Sequence, residues 1–237
     1  MPSLNDMHST SVSVARLGRG VIAFAPANVP AQPLELYEFE VCPYCRKVRE
    51  TLTELDIDYV SRSAARGSGS RNEAIAVGGK RQFPFLHDPN TGAQLYESED
   101  IVDYLHATYG AKGGRARWRR WLSPLDTAGS AVASGLRMKN RQVRPGMEGR
   151  VQPEERLELW NFEGSPYCRK VREELNALGL DVLVHNVGKR GRNRPELVAK
   201  GGKMQVPYLV DPNTGVAMYE SDAIVAYLRK TYGSEAV

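Results

Sequence analysis

Residues 34–52 read LELYEFEVCPYCRKVRETL, and residues 157–175 read LELWNFEGSPYCRKVREEL. The likeness continues without a gap over residues 34–110 and 157–233, at a constant offset of 123, with 40 of the 77 positions identical. A period this long that occurs only twice indicates duplication of a small domain rather than a solenoid. The sequence therefore predicts two tandem domains that share one fold.

The residue pattern within each copy predicts an α/β domain. Leu34 and Leu36 alternate with polar residues as in a strand, whereas Cys45, Val48 and Leu52 recur at helical spacing. The charged residues Arg46, Lys47, Arg49 and Glu50 fall on the other face of this helix. The full predicted order is strand, helix, strand, a glycine-rich loop followed by a short helical stretch, strand, strand and a last helix capped by Ser98.

The copies are separated and preceded by segments of different composition. The predicted division is a helix and arm, a first domain, a helical and extended linker, and a second domain, at residues 1–33, 34–110, 111–156 and 157–237. Ser123 begins an apolar helix in the linker, and a proline-containing arm precedes each copy. We expect the two domains to pack on each other as a pseudo-twofold pair, with the linker helix between them.

Composition limits the class of protein. Of the 237 residues, 41% are hydrophobic and 25% are charged, and no apolar run approaches the length needed to span a bilayer, so we expect no membrane span. Basic residues cluster at 112–120 and 189–194, but no aromatic–basic platform or zinc spacing accompanies them, so we expect no nucleic-acid partner. Three cysteines do not form a disulfide framework and favour a reducing cytoplasm.

The CPYC motif predicts thiol chemistry. Cys42 lies where a strand passes into a helix, and the helix N-terminus and the following basic residues favour a thiolate there. Cys45 is within one helical turn and can attack a mixed disulfide on Cys42. A purely structural thiol pair is the alternative. In the second copy Ser165 replaces the nucleophile, and Cys168 falls on the apolar stripe, where a buried hydrophobic role is expected.

These features together resemble a known pair of families. A strand, CPYC at a helix start, an apolar residue before Pro84, and Glu97-Ser98 before the last helix resemble the glutaredoxins and the N-terminal, glutathione-binding domain of soluble glutathione transferases. The resemblance implies a thioredoxin fold in each copy, with a four-stranded mixed sheet and helices on both faces. The all-helical C-terminal domain of the transferases follows neither copy, which counts against ordinary transferase activity.

The resemblance also implies a glutathione site in each copy. Pro84 and Pro207 match the family's cis-proline, and the residue before each offers its backbone to the cysteinyl part of glutathione. The Glu-Ser pairs match the γ-glutamyl recognition motif, and Lys80 or Arg71 could bind the other carboxylate. The implied glutathione-binding residues are Tyr44, Lys80, Gln82, Phe83, Pro84, Glu97 and Ser98 in the first copy, and Ser165, Gln205, Val206, Pro207, Glu220 and Ser221 in the second.

The expected function is a glutathione-dependent thiol–disulfide oxidoreductase acting on a small-molecule or protein disulfide. Glutathione is the expected cosubstrate, and no metal or iron–sulfur cluster is expected. Two roles for the second copy stay open: a second glutathione site in which Ser165 donates to the bound thiolate, or a degenerate copy kept for packing. The alternatives for the whole chain are a non-catalytic glutathione-binding scaffold and a transferase-like enzyme.

Overall fold

The strands and helices follow the predicted order in both copies. The computed structural model describes residues 20–111 and 141–233. The elements of the first copy are β1 (Leu34–Glu38), α1 (Pro43–Glu54), β2 (Tyr59–Ser63), α2 (Gly69–Gly78), β3 (Phe85–Asp88), β4 (Ala93–Leu95) and α3 (Ser98–Tyr109). Those of the second copy are β5 (Leu157–Asn161), α4 (Pro166–Ala177), β6 (Val182–Asn186), α5 (Arg194–Gly201), β7 (Tyr208–Asp211), β8 (Val216–Tyr219) and α6 (Ser221–Tyr232).

Each copy contributes a mixed sheet with a helical layer on either face. In the first copy β1 pairs in parallel with β2 and antiparallel with β3, and β4 is antiparallel to β3. Successive side chains of a strand point to opposite faces. Accordingly Leu34 and Leu36 of β1 pack with residues of α1 and α3, while Tyr37 packs with Ala74 of α2. The thioredoxin-like fold of each copy is confirmed.

The expectation of a separate four-stranded sheet in each copy is wrong, because the two sheets join. Strand β2 pairs antiparallel with β6, giving one eight-stranded sheet in the order β4-β3-β1-β2-β6-β5-β7-β8. In this pairing Val60 lies opposite Leu183, its own equivalent in the second copy. A strand edge that pairs with its own equivalent forms an isologous, pseudo-twofold interface. The join also removes an exposed edge from each copy.

The charged face of helix α1 is buried, although the charged face of an amphipathic helix ordinarily faces solvent. Arg46, Arg49 and Glu50 of α1 are each at most 3% exposed, and Arg169 and Arg172 of α4 are 3% and 5% exposed. The apolar core is continuous through both copies and includes residues of α1, α3, α4 and α6. Each copy covers the charged helix face of the other, and Arg49 and Arg172 form ion pairs across this interface.

The arm before each copy reaches across to the other copy. Ala23 N–H donates to the Lys189 carbonyl, and Lys189 N–H donates to Val21. Arg66, the first-copy equivalent of Lys189, makes the matching pair of bonds with Arg141 and Val143. Each arm therefore forms two backbone hydrogen bonds with the other copy, and together the arms stabilise the pseudo-twofold pair.

Two equivalent aspartates extend the interface at its ends. Asp181 accepts from Ser63 N–H at 2.8 Å and from the Ser70 hydroxyl at 2.8 Å. Its equivalent, Asp58, accepts from Asn186 N–H at 3.0 Å and from the Asn193 side chain at 2.7 Å. The buried carboxylate of Asp181 and the partly buried carboxylate of Asp58 are therefore hydrogen-bonded across the interface rather than within one domain.

The basic stretch at 189–194 takes part in the same contact, since Arg192 N–H donates to the carboxylate of Asp56 at 2.7 Å. The other basic stretch, 112–120, and the predicted linker helix from Ser123 lie outside the described residues, as does the predicted N-terminal helix. Within residues 20–111 and 141–233, no helix is long and apolar enough to cross a membrane.

Candidate functional site

The CPYC cysteines lie at the start of helix α1. Cys42 occupies the N-cap position with an extended backbone, and its sulfur accepts a hydrogen bond from Cys45 N–H at 3.2 Å. Pro43 occupies the first turn, where no backbone donor is lost. Both cysteines are free thiols, and each is at most 3% exposed. A sulfur that receives a helix N-terminal N–H is placed to carry a negative charge.

The two thiols differ in their pKa values. Burial alone would raise the pKa of Cys42, but hydrogen bonds from Cys45, the charge of Arg49 and the Tyr44 N–H lower it below its ordinary value. Burial raises the pKa of Cys45 well above its ordinary value, and its hydrogen bond to Cys42 adds to this effect. The surroundings therefore favour the thiolate form at Cys42 more than at Cys45.

The second copy reproduces this geometry with an oxygen in place of the sulfur. Ser165 is the N-cap of helix α4, and its hydroxyl oxygen accepts from Cys168 N–H at 3.3 Å. Cys168 is fully buried, and this burial raises the pKa of its thiol. The side chain at position 165 thus occupies the nucleophile's place but cannot exchange disulfides.

The proline segment lies beside the Cys42 turn. The Phe83–Pro84 and Val206–Pro207 bonds are both cis, as the resemblance implies. The ring of Phe39 meets the ring of Phe83 edge-on, with centroids 6.4 Å apart, and the Phe39 carbonyl accepts from Cys42 N–H at 3.0 Å. Phe39 therefore links the turn that carries the nucleophile to the segment that carries the cis-proline.

The Glu-Ser pairs stand at the start of the last helix of each copy. Glu97, not Ser98, is the N-cap of α3; its backbone is left-handed at φ 62°, and its side chain makes no capping bond. Ser98 is instead the first helical residue, so the expectation that it caps the helix is wrong. The left-handed turn frees the Glu97 carboxylate from a capping role, and this carboxylate accepts a hydrogen bond from the Gln82 amide.

The second copy has the same arrangement. Glu220 has φ 69°, and its carboxylate accepts from Gln205 at 2.6 Å. Ser98 and Ser221 are both buried at the N-terminal turns of their helices. In each copy the structure therefore brings a glutamine, a glutamate and a serine close together. The glutamine lies two residues before the cis-proline.

The cationic candidates of the first copy differ in position. Arg71 lies over the ring of Phe83, with its guanidinium carbon 4.6 Å from the centroid. Lys80 lies over the ring of Tyr96, with its ammonium nitrogen 5.5 Å from the centroid. Gly78 makes room for Tyr96, because a Cβ at residue 78 would lie 2.1 Å from the tyrosine hydroxyl. Both cations thus flank the segment between the cis-proline and Glu97. Tyr44 is half-exposed beside Cys42.

A buried ion cluster behind the Cys42 turn was missed from the sequence. Its members are Glu38, Glu40 and Arg49 of the first copy and Glu163 and Arg172 of the second. The signal that could have revealed it is the identity of residues 43–50 and 166–173, which includes every charged position of the first helical turns. Positions that face solvent are seldom all identical in two copies whose sequences differ elsewhere.

Within the part of the chain that the structure describes, no three His, Cys, Asp or Glu side chains are grouped so that they could hold a metal ion.

Comparison with known proteins decides the family. The model of the glutathione S-transferase N-terminal domain matches this chain twice, at residues 36–113 and 159–236. The chain belongs to the glutathione S-transferase N-terminal domain family. Its two family domains are the two copies described above, and each has the thioredoxin-like fold that the family shares.

Curated relatives of this transferase-domain chain come from Escherichia coli. Glutathione S-transferase GstB of strain K12 is 32% identical over 120 residues, which cover 47% of this chain and 54% of GstB. The GstB of strain O6:H1 gives the same values. The chain therefore spans about half the length of the curated relatives it matches. No solved structure gave a significant match.

Proposed function

We propose that the first copy is a glutathione-dependent thiol–disulfide oxidoreductase with Cys42 as nucleophile and Cys45 as resolving thiol. The observation that carries the proposal is the 3.2 Å hydrogen bond from Cys45 N–H to the Cys42 sulfur, at the start of a helix. The family and the GstB relatives support glutathione as the ligand. The transferase name of the relatives does not by itself extend their reaction to this chain.

The proposed reaction is a pair of disulfide exchanges. The Cys42 thiolate attacks a disulfide R–S–S–R′, forms a bond to one sulfur and expels the other as a thiolate, which takes up a proton. Cys45 then loses its proton and attacks the mixed disulfide, giving the Cys42–Cys45 disulfide and the second thiol. Two molecules of glutathione reduce this disulfide and leave as oxidised glutathione. The low exposure of Cys42 favours small disulfides and glutathione adducts over disulfides of large folded proteins.

The Phe83 backbone, the Gln82–Glu97 pair and Ser98 are the proposed glutathione-binding groups of this copy. A serine at a helix N-terminus binds a carboxylate, and a glutamate binds an ammonium group, so together they suit the α-amino acid end of the γ-glutamyl moiety. Arg71 and Lys80 are the candidates for the glycyl carboxylate. Tyr44 is half-exposed, and its backbone N–H donates to the Cys42 sulfur.

The overall proposal is tested by coupling formation of oxidised glutathione to glutathione reductase and NADPH. The purified full-length chain is given a small disulfide and reduced glutathione. Turnover above the uncatalysed exchange rate supports the oxidoreductase, and its absence with intact glutathione binding favours the non-catalytic alternative. A transferase-like enzyme is distinguished by conjugation of glutathione to an aryl halide that persists in a Cys42→Ser variant.

Alkylation against pH is expected to separate the two thiols of the CPYC motif. Because the pKa of Cys42 is lowered and that of Cys45 is raised, iodoacetamide should label Cys42 first, with a midpoint below the free-thiol value of about 8.5. Mass spectrometry of quenched samples gives the site and rate of labelling. A Cys42 midpoint at or above that of a free thiol would remove the activated nucleophile from the proposal.

We propose further that the second copy binds glutathione without exchanging disulfides. It keeps the cis Val206–Pro207 bond and the Gln205–Glu220 contact, and Ser165 places a hydroxyl where the first copy has a thiol. A bound glutathione thiolate could accept a hydrogen bond from this hydroxyl.

Calorimetry of the full-length chain with glutathione is expected to give two sites. The variant Glu220→Ala/Ser221→Ala should lose one of them, and the matched variant Glu97→Ala/Ser98→Ala should lose the other, because each removes the recognition pair of one copy. An unchanged stoichiometry and affinity in the Glu220→Ala/Ser221→Ala variant would mean that the second copy is kept for packing.

A further inference from the structure

The turn that carries Cys42 is bound by a side chain from the other copy. Glu40 lies two residues before Cys42, between β1 and α1. Both of its carboxylate oxygens accept from Arg172 of helix α4, from Nε at 3.0 Å and from Nη2 at 3.2 Å. The two side chains are buried, at 3% and 4% exposed. A bidentate arginine–carboxylate pair fixes orientation as well as distance.

A second arginine holds the same turn from within the first copy. Arg49 Nη2 donates to the backbone carbonyl of Glu40 at 3.3 Å, while its Nε donates to Glu163 of the second copy at 2.9 Å. Within the turn, Cys42 N–H donates to Phe39. The residues from Phe39 to Cys42 are therefore fixed between one arginine of each copy.

The arrangement is reciprocal in geometry but not in chemistry. Arg49 meets the turn before Ser165 through Glu163, as Arg172 meets the turn before Cys42 through Glu40. Of these two turns, only the one before Cys42 leads to a nucleophilic thiol. In addition, Arg49 pairs with Glu38, whereas the equivalent contact of Arg172 is to the neutral amide oxygen of Asn161 at 2.7 Å. Arg172 therefore has one fewer competing carboxylate.

We propose that Arg172 is a positioning residue for the redox site of the first copy. By binding Glu40, it holds the turn so that the Cys42 sulfur stays aligned with the N-terminal N–H groups of α1. The second copy thereby completes the site of the first, which gives it a role that does not depend on its own nucleophile. The consequence for turnover rests on the proposed oxidoreductase function, but the placement of the thiol does not.

The test is the rate of iodoacetamide alkylation of Cys42 against pH, in the full-length chain. Arg172→Leu removes both hydrogen bonds and leaves the buried Glu40 carboxylate with only longer contacts, to Arg49 at 3.3 Å and to Arg169 at 3.7 Å, so Glu40 must move or take up a proton. We expect alkylation at pH 6.5 to slow at least about fivefold, with the midpoint shifted upward. Arg172→Lys, which keeps the charge but not the two-pronged geometry, should give an intermediate profile.

Asp181→Asn is the matched control. It weakens a buried contact of the same interface, to Ser63 and Ser70, without touching Glu40 or Arg49. Thermal unfolding should show that it also destabilises the chain, while its alkylation profile should match that of the native chain. A merely structural role of Arg172 would move both variants alike.

The outcomes separate the two proposals. An Arg172→Leu profile that overlaps the native one, or that of Asp181→Asn, overturns the positioning role. If Arg172→Leu does not fold, the Arg172→Lys profile decides, and a native-like profile there rejects the inference. A shifted profile in a chain that shows no reductase turnover leaves the positioning role standing and removes the proposed function. Turnover in the native chain together with an unshifted Arg172→Leu profile supports the proposed function and overturns the positioning role.

Discussion

Replacing Cys42 with serine is expected to abolish disulfide reduction, with residual turnover below about 1% of the native rate. The hydroxyl of serine can take the N-cap position, as Ser165 does in the second copy. It cannot, however, form or break a sulfur–sulfur bond. The measurement is the glutathione reductase-coupled rate at saturating disulfide, with circular dichroism to show that the variant is folded.

Cys168→Ala is the control for this substitution. It also removes one thiol from the start of a first helix, but from the copy that lacks a nucleophile, where the sulfur is fully buried. Its turnover should stay within about twofold of the native rate, since it touches no residue of the first site. Equal losses in Cys42→Ser and Cys168→Ala would contradict the assignment of catalysis to the first copy.

The fold of each copy could be predicted from the sequence because the spacing of apolar residues specifies each strand and helix locally. Alternation at Leu34 and Leu36, and helical spacing from Cys45 to Leu52, specify a strand and a helix whatever lies beyond them. The turn residues and the cis-proline segments could be placed because the motif has a fixed order along the chain. The Glu97 N-cap was misplaced by one residue, since a serine is the commoner capping residue and a left-handed glutamate is rare.

The packing of the two copies as a pseudo-twofold pair was expected, but the joining of their sheets and the buried charges between them did not follow from the sequence, for two physical reasons. Strands β2 and β6 read YVSRS and VLVHN. The sequence of an edge strand does not specify the strand with which that edge will pair. The burial of the charged face of α1 was not predicted either, because isolated charges are rarely buried. That rule fails where the burying surface brings the opposite charges, as Glu163 does for Arg49. Of the three carboxylates that pair with Arg49, one is supplied by a residue more than a hundred positions away.

The same dependence makes Arg49 the substitution with the largest expected effect on stability. Arg49 is 1% exposed and pairs with three buried carboxylates, those of Glu38, Glu40 and Glu163. Arg49→Met leaves Glu38 without its arginine partner and removes one of the cations that pair with Glu40 and Glu163. Removing one partner of a buried ion pair costs about 3–5 kcal/mol, so we expect a loss of that size in the free energy of unfolding. Urea unfolding of the full-length chain measures it.

An exposed ion pair of the second copy provides the control. Arg229 contacts Glu174 at 2.9 Å and is half-exposed, so Arg229→Ala should cost no more than about 1 kcal/mol. A similar small loss for Arg49→Met would mean that the three carboxylates reach solvent when Arg49 is removed, and that the interface is not closed around them.

A double variant tests whether the loss comes from the pairing across the copies. Arg172, Arg49 and Arg46 together hold the pKa of Glu163 far below its ordinary value against the opposing effect of burial. A depressed pKa stabilises the folded state above the ordinary value, and this stabilisation is lost only as the pH falls through the folded-state pKa, so it is fully present at pH 7. Arg49→Met/Glu163→Met removes both charges of the 2.9 Å pair.

The double variant should therefore unfold with a smaller loss of free energy than the sum of the two single variants, by at least about 1 kcal/mol. Strict additivity at pH 7 would show that Arg49 is stabilising through Glu38 and Glu40 alone. In that case the stabilising pairs of Arg49 would lie within the first copy, and the two copies would be held together by the Arg172–Glu40 pair, the β2–β6 pairing, the two arms and the shared apolar core.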